Sequence, residues 1–173
     1  MAPAGAQLTD IDPEQDYRSA MHALIADSWE SVWDAVPAAL SGDDPEGVHD
    51  VRVASRRLRA AMDVAADAFP KRWYRSLHQT AKAITRALGE VRDREVILEA
   101  LSKERKRAKA AERAGLDRLI ARGEREHDEA RLEMVAFLAE LDAKGVREES
   151  RRRFPLPADA PKASRSSKKG NRA

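Results

Sequence analysis

The chain has 173 residues, 36% of them charged, with a formal net charge of +2 and no cysteine. That length suits one ordinary domain and a tail, and the missing cysteines exclude a disulfide framework or a thiolate metal site. Residues Met1 to Asp16 show no basic and then apolar leader, and no apolar run is long enough to span a bilayer, so a cytoplasmic, non-membrane protein is the expectation. Acids nearly cancel bases overall, yet Arg147 to Ala173 holds nine Lys/Arg and three Asp/Glu, a net of +6 that leaves −4 for the remainder. A cationic site in the folded part must therefore arise from local sorting of charge.

Residues 1–13 read as a loose leader. A first helix is predicted from about Glu14 to Leu40, with Met21, Leu24, Ile25, Ser28, Val32 and Val36 at helical spacing and Pro37 near its end. Ser41-Gly42-Asp43-Asp44-Pro45 is a break in which Asp44 can cap the next helix and Pro45 suits its first turn. The second helix runs to Phe69, before Pro70. The third covers about Arg72 to Ser102, with Leu77, Ile84, Leu88, Val91 and Leu98 on its buried side. Gly89 is out of place there, because glycine inside a helix costs about 1 kcal/mol relative to alanine. Close approach of a backbone or a ligand would explain it.

The fourth helix shows Leu116, Leu119, Ile120, His127, Met134, Phe137, Leu138 and Leu141 on one stripe, with Lys103 to Arg113 either helix or connection. From 146 onward, an arginine triplet, three prolines and a Ser/Lys/Arg end read as a disordered basic tail. The expected fold is all-α: an antiparallel four-helix bundle over residues 14–145, with the tail covering 146–173.

The second helix carries the strongest functional signal. At about 100° per residue, His49, Arg52, Arg56 and Arg59 lie along one face, while Val51, Ala54, Leu58, Ala61, Met62, Ala65 and Phe69 lie along the opposite one. No glutamate stands three or four residues from these arginines, and Asp63 alone can neutralise Arg59 or Arg56. A row of guanidinium forks suits a ligand with many phosphate oxygens. On the third helix Lys82, Arg86, Gly89, Arg92 and Asp93 share a sector opposite Ile84 and Val91. Packed side by side, the two strips would form one cationic groove, with Arg57 flanking it and Asp93 orienting a neighbouring arginine. His49 can donate a hydrogen bond to a phosphate. His127, on the apolar stripe, reads as a core histidine, and His22 and His78 carry no constellation.

The run from His49 to Arg59, H-x-x-R-V-x-x-R-R-L-R, followed by Leu88-Gly89-Glu90-Val91-Arg92-Asp93, resembles the first half of a CHAD domain, the conserved histidine α-helical domain, over roughly Asp16 to Leu141. The resemblance implies an all-helical fold that binds inorganic polyphosphate in a basic cavity, without catalysis and without a cofactor. It also implies two related four-helix units in most members, and the present sequence has no second H-x-x-R row. Two copies sharing a channel would supply the missing half, weakly associated or monomeric until a long polyanion bridges them into a homodimer; a single bundle with an open, shallow basic groove is the alternative expectation. Polyphosphate granules are then an expected location beside the cytoplasm.

Other readings fit less well. Glu46-x-x-His49 and Glu124-x-x-His127 have the spacing of di-iron bundles, but His49 projects away from the apolar face and His127 with it. The His-x-x-Lys-Gly pattern of a histidine phosphotransfer domain is absent. Nucleic-acid binding through the arginine row is the runner-up, though no aromatic residue interleaves with that row to stack bases.

Overall fold

The computed structural model describes residues 15–41 and 46–156. Five helices follow in chain order: α1 (Tyr17–Ser41), α2 (Gly47–Val64), α3 (Lys71–Arg107), α4 (Ala110–Ala143) and α5 (Val146–Arg153). No strand occurs among the described residues, and the fold is an all-α helical bundle. Helix α1 packs on α2, α2 on α3 and α3 on α4, while α5 lies across α1 and α4. Sequential neighbours run antiparallel. Tyr17 at the start of α1 donates its hydroxyl to Val64 O at the end of α2 (3.0 Å), and Arg94 and Arg105 of α3 face Glu126 and Asp117 of α4.

Local chemistry sets the helix ends. The Asp16 carboxylate accepts from the Ser19 amide (3.1 Å) and hydroxyl (2.6 Å), satisfying one of the free amides at the start of α1. Pro37 lies inside α1, which continues to Ser41. Helix α2 stops at Val64, five residues short of the expected Phe69. The Ala65 amide closes the last turn on Ala61 O, the Ala68 amide bonds Ala65 O in a following turn, and Phe69, the residue before Pro70, is itself disfavoured from continuing a helix. Phe69 is thereby freed to stack on Tyr74, with ring centroids 5.3 Å apart. Helix α3 runs on to Arg107, so the charged stretch left open in the sequence is helix up to the Ala108–Lys109 turn. The expected leader, the start at Glu14, the Asp44–Pro45 cap and residues 157–173 lie outside the described residues.

The core is built from all four long helices: Ile25, Trp29 and Val32; Val51, Leu58 and Met62; Ile84, Leu88 and Val91; Met134 and Leu138. Each such side chain contributes about 1.5–3 kcal/mol on burial. Buried positions stop at Val91 on α3 and begin only at Ala130 on α4. At 1.5 Å per residue α3 is ~55 Å long against ~27 Å for α2. Helices α3 and α4 therefore continue past the core as a two-helix arm. Leu119, expected on the buried stripe of α4, lies on this arm and is 52% exposed.

Residues 146–156, expected as the start of a disordered tail, are ordered against the bundle. Gly145, at φ +66°, makes the left-handed turn that glycine favours at a helix end. Helix α5 follows and is docked. Trp33 Nε1 donates to the buried Ser150 hydroxyl (3.1 Å), Arg151 grips Glu30 with two bonds (2.7 and 2.6 Å), and Phe154 is buried among Phe69, Trp73 and Tyr74. The arginine triplet that looked like a solvated tail finds acids: Glu30 for Arg151, and Glu149 for both Arg152 and Arg153.

Candidate functional site

Helices α2 and α3 meet along a seam of small and hydroxyl side chains. Ser55 is fully buried and donates to Arg52 O (3.0 Å), and Thr85 donates to Ala81 O (2.9 Å) and reaches Ser55 O (3.3 Å). These contacts fix which flank of α2 faces α3. Arg59 and Asp63 lie on that flank, because Asp63 joins the two helices. It sits 3.5 Å from Arg59 Nε on α2, and 2.8 Å from His78 Nε2 and 3.5 Å from Lys82 Nζ on α3. Burial pushes the Asp63 carboxyl up, but the His78 bond and the charges of Lys82 and Arg59 outweigh it and hold the group below its usual range.

Arg52, seven residues before Arg59, falls within 20° of it around α2, and Arg56 follows on the outer side of the same flank. Arg52 is half-buried and Arg56 exposed, and neither makes an ion pair with a described residue. Arg57 is also exposed but lies 100° further round the helix from Arg56, off the row. His49 is half-buried in the first turn of α2, and its ring makes no hydrogen bond with a described residue.

On α3, Arg92 donates to Glu95 (2.9 Å) and lies 3.7 Å from Glu99. The Glu95 bond, with the fields of Glu99 and Glu46, holds its guanidinium firmly charged. The antiparallel register set by the Asp63–His78 and Ser55–Thr85 contacts places Arg92 at the His49 end of the seam. A methyl group built on Gly89 would meet no atom within 4 Å, so no protein backbone needs that glycine. It leaves open space beside the cations. The structure thus brings Arg52, Arg56, Arg59, Lys82 and Arg92 to one seam, with His49 at one end.

Besides Arg57, two expected site residues stand apart. Arg86 pairs with Glu90 (3.2 Å) and turns to an open groove of about 240 Å³ between α3 and α4, alongside Met134 and Phe137. Asp93 is exposed and bonds none of the arginines. The carboxylates that contact the seam cations are Asp63 at Arg59 and Lys82, and Glu95 with Glu99 at Arg92, of which the Asp63–Arg59 pair was legible from helical spacing. His127 is not a core residue. It sits half-buried at the base of the arm, 3.7 Å from Glu95 and 3.5 Å from Asp128. His78 and Lys82 become legible as Asp63 partners only once α2 and α3 are registered against each other.

A model of the CHAD domain matches residues 23–172, nearly the whole chain. The chain belongs to the CHAD domain family. No curated protein and no solved structure matches it. The CHAD domain is a polyphosphate-associated helical domain and generally not an enzyme in itself. In this CHAD domain the H-x-x-R-V-x-x-R-R-L-R run forms the flank of α2 that borders the seam, and Gly89 and Arg92 of the second motif lie across from it on α3. Among the described residues no group of three His, Asp or Glu side chains is placed to hold a metal ion, and no helix is long and apolar enough to cross a membrane.

Proposed function

We propose that this chain binds inorganic polyphosphate along the α2–α3 seam, without catalysing a reaction on it. One observation carries the reading: Arg52 and Arg56 stand on the seam with no carboxylate partner among the described residues, beside the open space at Gly89. Two adjacent guanidiniums repel each other, and a chain of phosphates relieves that repulsion while filling both forks with oxygens. Arg59, Lys82 and Arg92 are held by Asp63 and by Glu95 with Glu99, which fixes their positions next to the unpaired pair. Among the described residues no carboxylate is paired with the His49 ring, so the role that fits it is hydrogen-bond donation to a phosphate.

Nucleic acid suits the seam less well. Trp29, Trp33, Phe69, Tyr74 and Phe154 are buried in the core, and none borders the arginine row, so bases would have no stacking platform there. The deciding experiment compares long-chain polyphosphate with DNA and RNA at matched phosphate concentration. Replacing Arg52 and Arg56 by alanine should weaken polyphosphate binding at least tenfold, on the order of 1 kcal/mol or more for each lost charged contact, with helicity unchanged. Unaltered affinity removes the seam from consideration, and tighter binding to DNA than to polyphosphate replaces the ligand class. The same reading makes a ligand-bridged pair of chains, their seams facing one channel, the expected assembly. Light scattering with and without polyphosphate reports it.

A further inference from the structure

The arm formed by α3 and α4 beyond the core ends in a concentration of positive charge. From Lys103 to Arg118 there are seven Lys/Arg and three Asp/Glu, a net of +4 in a chain whose whole charge is +2. Asp117 is gripped by Arg105, and Glu112 caps α4 through the Lys109 amide (3.1 Å). Lys103, Lys106, Arg107 and Arg118 make no ion pair with a described residue and are exposed. The arm is firmly built: Leu98 packs where a methyl on Gly123 would lie 2.9 Å from it, Arg94 pairs with Glu126 (3.6 Å), and Arg113 donates to Ala108 O (3.1 Å).

The tip is continuous with the seam. At 100° per residue Lys82, Gly89, Arg92, Val96, Lys103 and Arg107 all fall within one sector of α3 about 80° wide. Glu99, bordering that sector, is turned back to Arg92 rather than on to Lys103. A favourable field at a helix C-terminus accounts for cations in the last turn, Arg105, Lys106 and Arg107. It does not account for Lys103, a turn earlier in the same sector.

We propose that Lys103 and Arg107 form a distal site that takes the far part of a long linear polyphosphate whose near part lies on the α2–α3 seam. The inference rests on the seam reading and adds the class of ligand length to it. From Arg92 to Arg107 the helix rises ~22 Å, and from Lys82 ~37 Å. A tripolyphosphate reaches one site, whereas a long chain engages both, the second contact being made at high effective concentration.

The test measures tripolyphosphate, long-chain polyphosphate and single-stranded DNA binding to the full chain and to a Lys103→Gln/Arg107→Gln variant. Both positions are exposed, and glutamine keeps the helix propensity. The variant should lose about tenfold in long-chain affinity and about 1.4 in the slope of log affinity against log salt, at ~0.7 per contact as for single strands. Its tripolyphosphate affinity should stay at the wild-type value. Long-chain affinity equal to wild type overturns the distal site and leaves the seam standing. An equal loss for both polyphosphates also overturns it, because the two positions would then act by general charge. A loss confined to DNA assigns the tip to nucleic acid and overturns it as well. A wild-type chain that binds neither polyphosphate overturns the seam reading and the distal site together.

Discussion

Gly47 and Gly89 are both helical glycines, and the structure gives them opposite signs. A methyl at Gly47 would lie 2.6 Å from Ala38 C, 2.7 Å from Ala38 O and 2.9 Å from Ala39 N, all backbone of α1 that cannot swing aside. At Gly89 it would meet nothing. Gly89→Ala is expected to raise stability by about 1 kcal/mol through helix propensity alone. Gly47→Ala should lower it by about 1–3 kcal/mol, because overpacking against a backbone outweighs the propensity gain. Denaturant unfolding of the two variants checks both signs, and a stabilised Gly47→Ala would show that α1 and α2 separate more easily than this packing implies. The sequence marked Gly89 as out of place but could not mark Gly47, since its reason is a contact with Ala38 and Ala39 of the preceding helix. Asp63 is a similar case. Its spacing to Arg59 was legible, while His78 and Lys82 joined it only through the antiparallel register of α2 and α3.

Helix α5 shows why a polar segment can still be structured. Periodicity located the four long helices, because each buries an apolar stripe over many turns. Eight residues of mostly charged sequence have no such stripe, and α5 is held by single contacts with α1: Trp33 to Ser150, Glu30 to Arg151 and His22 to the backbone of Arg153. Phe154→Ala should destabilise the chain by about 3 kcal/mol, within the range for truncating a buried aromatic, and speed hydrogen exchange first in α5. Acid should act on the same junction. Burial between Phe69 and Phe154, aided by the nearby charge of Arg18, holds His22 below its ordinary 6.5 despite its bond to Arg153 O. A depressed histidine takes up its proton more readily when unfolded, so its contribution to stability is present above pH 6.5 and declines as pH falls through 6.5 towards the folded value. Glu30, held down chiefly by its bond to Arg151, adds a second loss below its ordinary 4.5. A stability profile from pH 8 to 5 should therefore slope down towards acid, and His22→Phe should flatten it between about pH 7 and 5. An unchanged slope in that variant would place the titrating group elsewhere.

Charge at the level of the whole molecule is close to neutral, yet the cations are sorted into a seam and an arm tip while many others are tied to acids. Arg122 with Glu126 and Lys144 with Glu140 are examples on α4. This sorting was legible for α2, where the arginine row lacks acids at helical spacing, and illegible for the arm, whose acid-rich and base-rich stretches read as a uniform mixture until α3 and α4 were placed side by side. Salt dependence separates placement from net charge. Each phosphate contact that releases a counterion adds to the slope of log affinity against log salt, at ~0.7 per contact for a flexible single strand. Removing Arg52 and Arg56, which touch no carboxylate among the described residues, should flatten the polyphosphate slope by about 1.4, two contacts at ~0.7 each. Removing Arg122 and Lys144 takes away the same formal charge from paired, exposed positions away from the seam and should leave the slope unchanged. Titrations of both double variants at several salt concentrations distinguish the cases. Equal flattening in the two would mean that polyphosphate responds to the total charge of the molecule, and that the row on α2 has no special standing as a site.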